Sequence, residues 1–108
     1  PMSTPPLRIL LTTFPDAASA QSTATTLVTE HLAACVQILP GIVSVYQWQG
    51  SLESSSEVLV IIKTSASSAT AALDRLRALH PYEVPELVSL EASAAEPYLQ
   101  WVTSHCSP

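Results

Sequence analysis

The run Val58-Leu59-Val60-Ile61-Ile62 constrains this chain most, because an extended strand of these residues is apolar on both faces and must be covered on both. Leu7 to Phe14 poses the same demand: Leu7, Ile9 and Leu11 face one way, and Leu10, Thr12 and Phe14 the other. Two strands of this kind belong in the middle of a sheet. Each needs a neighbour on either edge and a layer over each face.

The other segments supply part of that cover. Pro15-Asp16 stops the first strand, and from Asp16 to about Ala33 the residues Ala20, Ala24, Leu27, Val28 and Leu32 recur at helical spacing, with Asp16 placed to cap. A strand starting near Cys35 is interrupted by Pro40-Gly41, which suits a kinked edge strand, and resumes from Ile42 to Trp48. Gly50-Ser51 reads as a turn, Ser51 to Ser56 as a polar segment, and Glu57 to Thr64 as the third strand. Ser65 to Ser68 can cap a second helix with Ala69, Ala72, Leu73, Leu76 and Leu79 on its buried side. Val84 to Leu90 is the fourth strand, and Pro97 to Thr103 a short final helix.

This β-α-β-β-α-β order predicts a ferredoxin-like α+β sandwich, a four-stranded antiparallel sheet with both long helices on one face and the short C-terminal helix appended. The expected single domain covers residues 7–104, with 1–6 and 105–108 as flexible ends. Two helices cover only one face of the sheet. The other is too apolar to stay wet, so a homo-oligomer built sheet against sheet is expected.

Charge narrows the partners. Only 12% of residues are charged, about half the usual share of about 25%. The formal net charge of −5 leaves only Arg8, Lys63, Arg75 and Arg77 as fixed cations. They form no patch for phosphates, which argues against nucleic acid as a partner. No apolar run reaches the roughly 18 residues of a membrane span, so no membrane partner is expected and the expected location is the cytoplasm. Cys35 and Cys106 are too few for a disulfide framework and read as free thiols.

Most of the polar chemistry falls in His80-Pro81-Tyr82-Glu83-Val84-Pro85-Glu86. Two prolines there make a rigid helix-to-strand corner that can hold a His, a Tyr and two Glu side chains in set directions. His80 also has a structural reason to be there, since a helix C-terminus favours a cation. No CxxC, HxxxH or HExxH spacing occurs, and Cys35 equally suits a small buried apolar position. Tyr46, Trp48 and Trp101 suit core or interface anchors, and Lys63, on a buried strand, must snorkel or find a carboxylate. No nucleophile with its base and no glycine-rich phosphate loop accompanies these groups, so catalysis is not expected.

Several segments together resemble the CutA divalent-cation tolerance family: Leu32-Ala33-Ala34-Cys35-Val36, Pro40 to Tyr46 with Trp48 and Gly50, Glu57-Val58-Leu59 through Ile62-Lys63-Thr64, His80 to Glu86, and Tyr98-Leu99-Gln100-Trp101. The resemblance implies a ferredoxin-like homotrimer linked to tolerance of copper and other divalent ions, with metal held by thiol and imidazole. By position that implies Cys35 and His80 as metal ligands. Copper or another divalent metal is the expected bound ion, Cu(I) favouring Cys35 and Cu(II) imidazole and oxygen donors. Tyr46, Trp48, Lys63, Tyr82 and Glu83 are the further candidates for a ligand cleft between subunits. Where many members read Cys-Pro-Asp, this chain reads Phe14-Pro15-Asp16 and lacks that thiol. The alternatives are a small-ligand signalling trimer of the nitrogen-regulatory kind and a structural or anchoring trimer with no ligand.

Overall fold

The computed structural model describes residues 6–106; the ends expected to be flexible at 1–5 and 107–108 lie outside the described residues. In order come β1 (Leu7–Phe14), α1 (Ala17–Thr29), β2 (Cys35–Trp48), β3 (Ser51–Ser65), α2 (Ala69–Leu79), β4 (Val88–Ala92) and α3 (Glu96–His105). The strands form one antiparallel sheet in the order β2-β3-β1-β4. The two strands that are apolar on both faces are therefore central, and the ferredoxin-like α+β arrangement is the one observed.

Alternation along the strands decides which side chains meet the helices. Leu10 and Phe14 of β1 and Val58, Val60 and Ile62 of β3 are buried against Ala20 and Leu27 of α1 and Ala72 and Leu76 of α2. Burying each large side chain contributes about 1.5 to 3 kcal/mol. The alanines let the helix axes sit close to the sheet. A second cluster joins Leu7, Ala34, Val102 and Cys106 at the end of the sheet where α3 packs.

Several boundaries differ from the sequence expectation. Helix α1 ends at Thr29 rather than near Ala33. His31 takes φ 61°, and the bonds Leu32 N–H to Leu27 O and His31 N–H to Val28 O close a Schellman turn that sends Leu32 and Ala33 back to the core. Strand β3 starts at Ser51, not Glu57, because all of β2 up to Trp48 pairs with it. The hairpin turn is Gln49-Gly50, with φ 51° and 82°, as a type I′ turn requires. Strand β4 starts at Val88, not Val84, since Pro85 has no N–H to donate and Val84 to Leu87 remain irregular.

Helix α3 is longer than expected at both ends and runs into the segment expected to be a flexible end. His105 is helical and Cys106 is buried. The Ser68 hydroxyl donates to the Cys106 carbonyl at 3.3 Å, and the Thr64 hydroxyl lies 3.6 Å from the Cys106 sulfur.

Strand β2 is an edge strand, as Pro40 demands, and its pairing with β3 shifts between Leu39 and Ile42. The inserted residue makes a bulge, and Gly41 takes φ 80° there. Beyond it, Ile42 to Trp48 pair with Ser51 to Glu57, past the end of β1 at Phe14. This half of the hairpin is an arm standing clear of the helices. Its Val43, Val45 and Leu52 are 71%, 66% and 72% exposed.

Candidate functional site

The corner after α2 is built on His80. It follows the last helical residue, Leu79, and precedes Pro81, so its backbone is extended at φ −75° and ψ 136°. Its ring stacks on Phe14, centroids 4.3 Å apart. Nε2 lies 2.8 Å from the Thr13 carbonyl, which can only accept, so Nε2 carries the proton. Nδ1 then accepts the Tyr82 N–H at 3.1 Å. Burial pushes the His80 pKa below its ordinary value, against the opposing influence of the Thr13 carbonyl and the Glu57 charge. The neutral ring thus has its one free lone pair taken up by Tyr82, and it serves as a clamp on the corner.

The clamp aims Tyr82 at β3. The Tyr82 hydroxyl donates to Glu57 Oε2 at 2.6 Å. Burial pushes the Glu57 carboxyl up, but hydrogen bonds from Tyr82, Ser44 and Thr13, with His80 nearby, hold it below the ordinary carboxylate value. Burial first, then the neighbouring carboxylate, pushes the Tyr82 phenol well above its ordinary value. Glu57 is therefore ionised, nearly buried, and surrounded by O–H donors.

Between this corner and the β2–β3 arm lies an open cleft of about 760 Å³. Tyr46, Trp48 and Tyr82 supply aromatic walls, and Glu57, Glu83 and Glu86 supply carboxylates. Among the described residues, no Lys, Arg or His side chain lines it. Arg75 is held on Glu30 by two 2.9 Å bonds between α2 and α1, and Arg8 pairs with Glu91 at 3.7 Å. The field in the cleft is that of carboxylates, and it favours a cation.

Of the expected residues, Tyr46, Trp48, Tyr82 and Glu83 line the cleft, His80 sits directly against Tyr82, and Cys35 and Lys63 lie elsewhere. Cys35 pairs with Lys63, which pairs with Ile9, which pairs with Leu90, forming one row across the face away from α1 and α2. The Lys63 ammonium donates to Gln37 Oε1 at 2.5 Å, finding an amide instead of a carboxylate. Cys35 lies by Tyr98 of α3, whose phenol is pushed up by burial and then by this thiol. His80 meets Thr12 and Phe14 on the helix-covered face. Cys35 and His80 therefore stand on opposite faces of the sheet. Among the described residues, no three His, Cys, Asp or Glu side chains are grouped to hold a metal ion.

Glu57 is the site residue that sequence reasoning missed. It reads as the first residue of a strand, and only the fold brings the Tyr82 hydroxyl to it. The available signal was a carboxylate opening an otherwise apolar run.

Topology, half-covered sheet and acidic cleft together define a class: a ferredoxin-like α+β protein with a cation-favouring cleft at its helix-to-strand corner. The family described as CutA1 divalent ion tolerance protein matches residues 8–105, and the chain belongs to that family. It is similar to the divalent-cation tolerance protein CutA of Salmonella newport, with 41% identity over 104 residues, 95% of this chain and 90% of that protein. Human protein CutA is 45% identical over 91 residues, 83% of this chain, which spans about half (51%) of that protein's length. The crystal structure of CutA from Xylella fastidiosa superimposes with a TM-score of 0.90 at 43% identity, over 94% of this chain and 98% of that one.

Proposed function

We propose that this chain acts in divalent-cation tolerance as a binding protein, a homotrimer whose corner cleft takes cations, copper among them, and is completed by a second subunit. The observation that carries this reading is the cleft itself, lined among the described residues by three carboxylates and no basic side chain. It opens beside an arm whose Val43, Val45 and Leu52 are exposed. The two free sheet edges, β2 and β4, differ in length and sequence, so a contact of β2 in one copy with β4 in the next is head-to-tail, the kind that gives a trimer where its rotation closes. Cys35 is a half-buried free thiol on the face away from α1 and α2 and offers a separate soft ligand for Cu(I). Two free thiols also suit a reducing compartment such as the cytoplasm.

Light scattering on dilute protein should give three times the chain mass. Calorimetry with Cu(II) and Zn(II) should show saturable binding that weakens in the Glu83→Gln, Glu86→Gln double variant, and Cu(I) binding should weaken in Cys35→Ser. A monomer mass, or heats that never saturate, would overturn the reading. The aromatic walls also favour a small-ligand signalling role. An anionic metabolite, however, would meet three carboxylates there.

A further inference from the structure

The cleft's walls and charge say more about its ligand than the word cation does. A divalent metal needs several oxygen, nitrogen or sulfur donors converging at about 2 to 2.6 Å. Here the most buried carboxylate, Glu57, already receives hydroxyl groups from Tyr82, Ser44 and Thr13. The other two, Glu83 and Glu86, sit on the exposed side of the corner. The donors surround the space without closing on a point. Half of the chemistry in the cleft is then unused by a metal, because the rings of Tyr46, Trp48 and Tyr82 offer π faces and apolar area. An aromatic face attracts a cation through its quadrupole, by about 0.5 to 2 kcal/mol per contact, most strongly when the cation carries little water. A primary ammonium group on an apolar stem uses both features. Its N–H groups bond carboxylates while its carbon chain lies on the rings.

Resting on the reading of this cleft as the ligand site, we infer that it is built for an organic ammonium ion, a small amine protonated at neutral pH, in preference to a bare metal ion. A volume of about 760 Å³ is ample for a compact amine and far more than one ion fills. Trp48 lines the cleft, whereas Trp101 lies on α3. The Trp101→Phe protein therefore makes Trp48 the single tryptophan reporter.

The test is Trp48 fluorescence in Trp101→Phe protein, titrated at constant ionic strength with n-butylammonium chloride and, separately, with 1-butanol, which has the same carbon chain and no charge. We expect a saturable change with n-butylammonium only, weakened about five-fold by Glu83→Gln with Glu86→Gln, as two solvent-accessible ion pairs imply. Ligand-observed NMR of n-butylammonium with the Trp48→Leu variant should show at least a three-fold loss, consistent with removing one cation–π contact. An equal response to 1-butanol, or no saturation with n-butylammonium, overturns the inference. Saturable Cu(II) or Zn(II) binding without an n-butylammonium response also removes it while leaving the metal reading intact. An n-butylammonium response without metal binding supports it and removes the metal reading.

Discussion

The β2–β3 hairpin is two structures joined at a bulge. Below Pro40-Gly41, Val36 and Ile38 face Ile62 and Val60 under the helices, and the strand pair is part of the core. Above it, Val43 pairs with Ser56, Val45 with Ser54 and Gln47 with Leu52, and the same strands lie open to water. Backbone pairing is continuous through both halves apart from the bulge. The comparison separates what hydrogen bonding shapes from what burial stabilises: the ladder extends the arm, but only the lower half has side chains that fix it in place.

Deleting the same atoms beside each half should give very different losses. Leu10, fully buried beneath the helices, should lose about 3 kcal/mol on Leu10→Ala. Leu52→Ala, at 72% exposure, should change the stability of a single chain by less than about 0.5 kcal/mol. In an assembled protein the Leu52 effect should instead depend on protein concentration, because it acts through association. Denaturant unfolding of both variants at two concentrations measures this. Equal, concentration-independent losses would mean that the two halves are stabilised alike.

The division also explains what could be read beforehand. Strand β1, the edge position of β2, the stripe of α2 and the cap at Asp16 follow from local rules, and the Asp16 carboxylate does accept the Ser19 N–H at 2.7 Å. The serines of the arm read only as a polar segment because strand reasoning relies on one buried face, and Ser54, Ser55 and Ser56 pair without one. The start of β4 at Val88 is hidden in the sequence because Val84 has the composition of a strand residue while Pro85 beside it stops the ladder. At the site, the rigid corner was legible from two prolines. The Tyr82–Glu57 bond, spanning 25 residues, and the opposite faces of Cys35 and His80 depend on strand register, which no local pattern contains.

The junction between corner and arm is the next place to press. Tyr82→Phe removes the hydroxyl bonded to an ionised carboxylate and should cost about 1 to 2 kcal/mol, read as a lower denaturation midpoint. Its pH signature is distinct. The folded Glu57 pKa lies below its ordinary 4.5, so its contribution is present above 4.5 and lost as pH falls through the folded value. Without Tyr82's hydroxyl that acid loss should shrink. His80 adds an earlier loss. Its folded pKa lies below 6.5, so the unfolded chain takes up the proton first, and stability should start to fall as pH drops below 6.5. His80→Gln should flatten that limb while leaving the Glu57 limb in place, measured as melting temperature against pH.

The smallest effects test the two ends of β2 against each other. His31 at its root and Gln49 at its tip are the non-glycine residues with positive φ among the described residues, at 61° and 51°. Each carries the strain of a left-handed backbone, about 1 kcal/mol for a residue with a Cβ. At the root, relief of that strain should appear in full, because the Schellman turn delivers Ala33 into the core and unfolds only with it. His31→Gly should therefore stabilise the protein by about 1 kcal/mol. At the tip, Gln49→Asn provides the preferred Asn-Gly turn, yet the arm can open without the core following, so global stability should rise by only a few tenths of a kcal/mol. Hydrogen exchange separates the cases: His31→Gly should slow exchange at core amides such as Ile62, whereas Gln49→Asn should slow it only between Val43 and Ser56. If Gln49→Asn protects Ile62 as strongly as His31→Gly does, the bulge does not divide the hairpin, and the arm folds as one unit with the core.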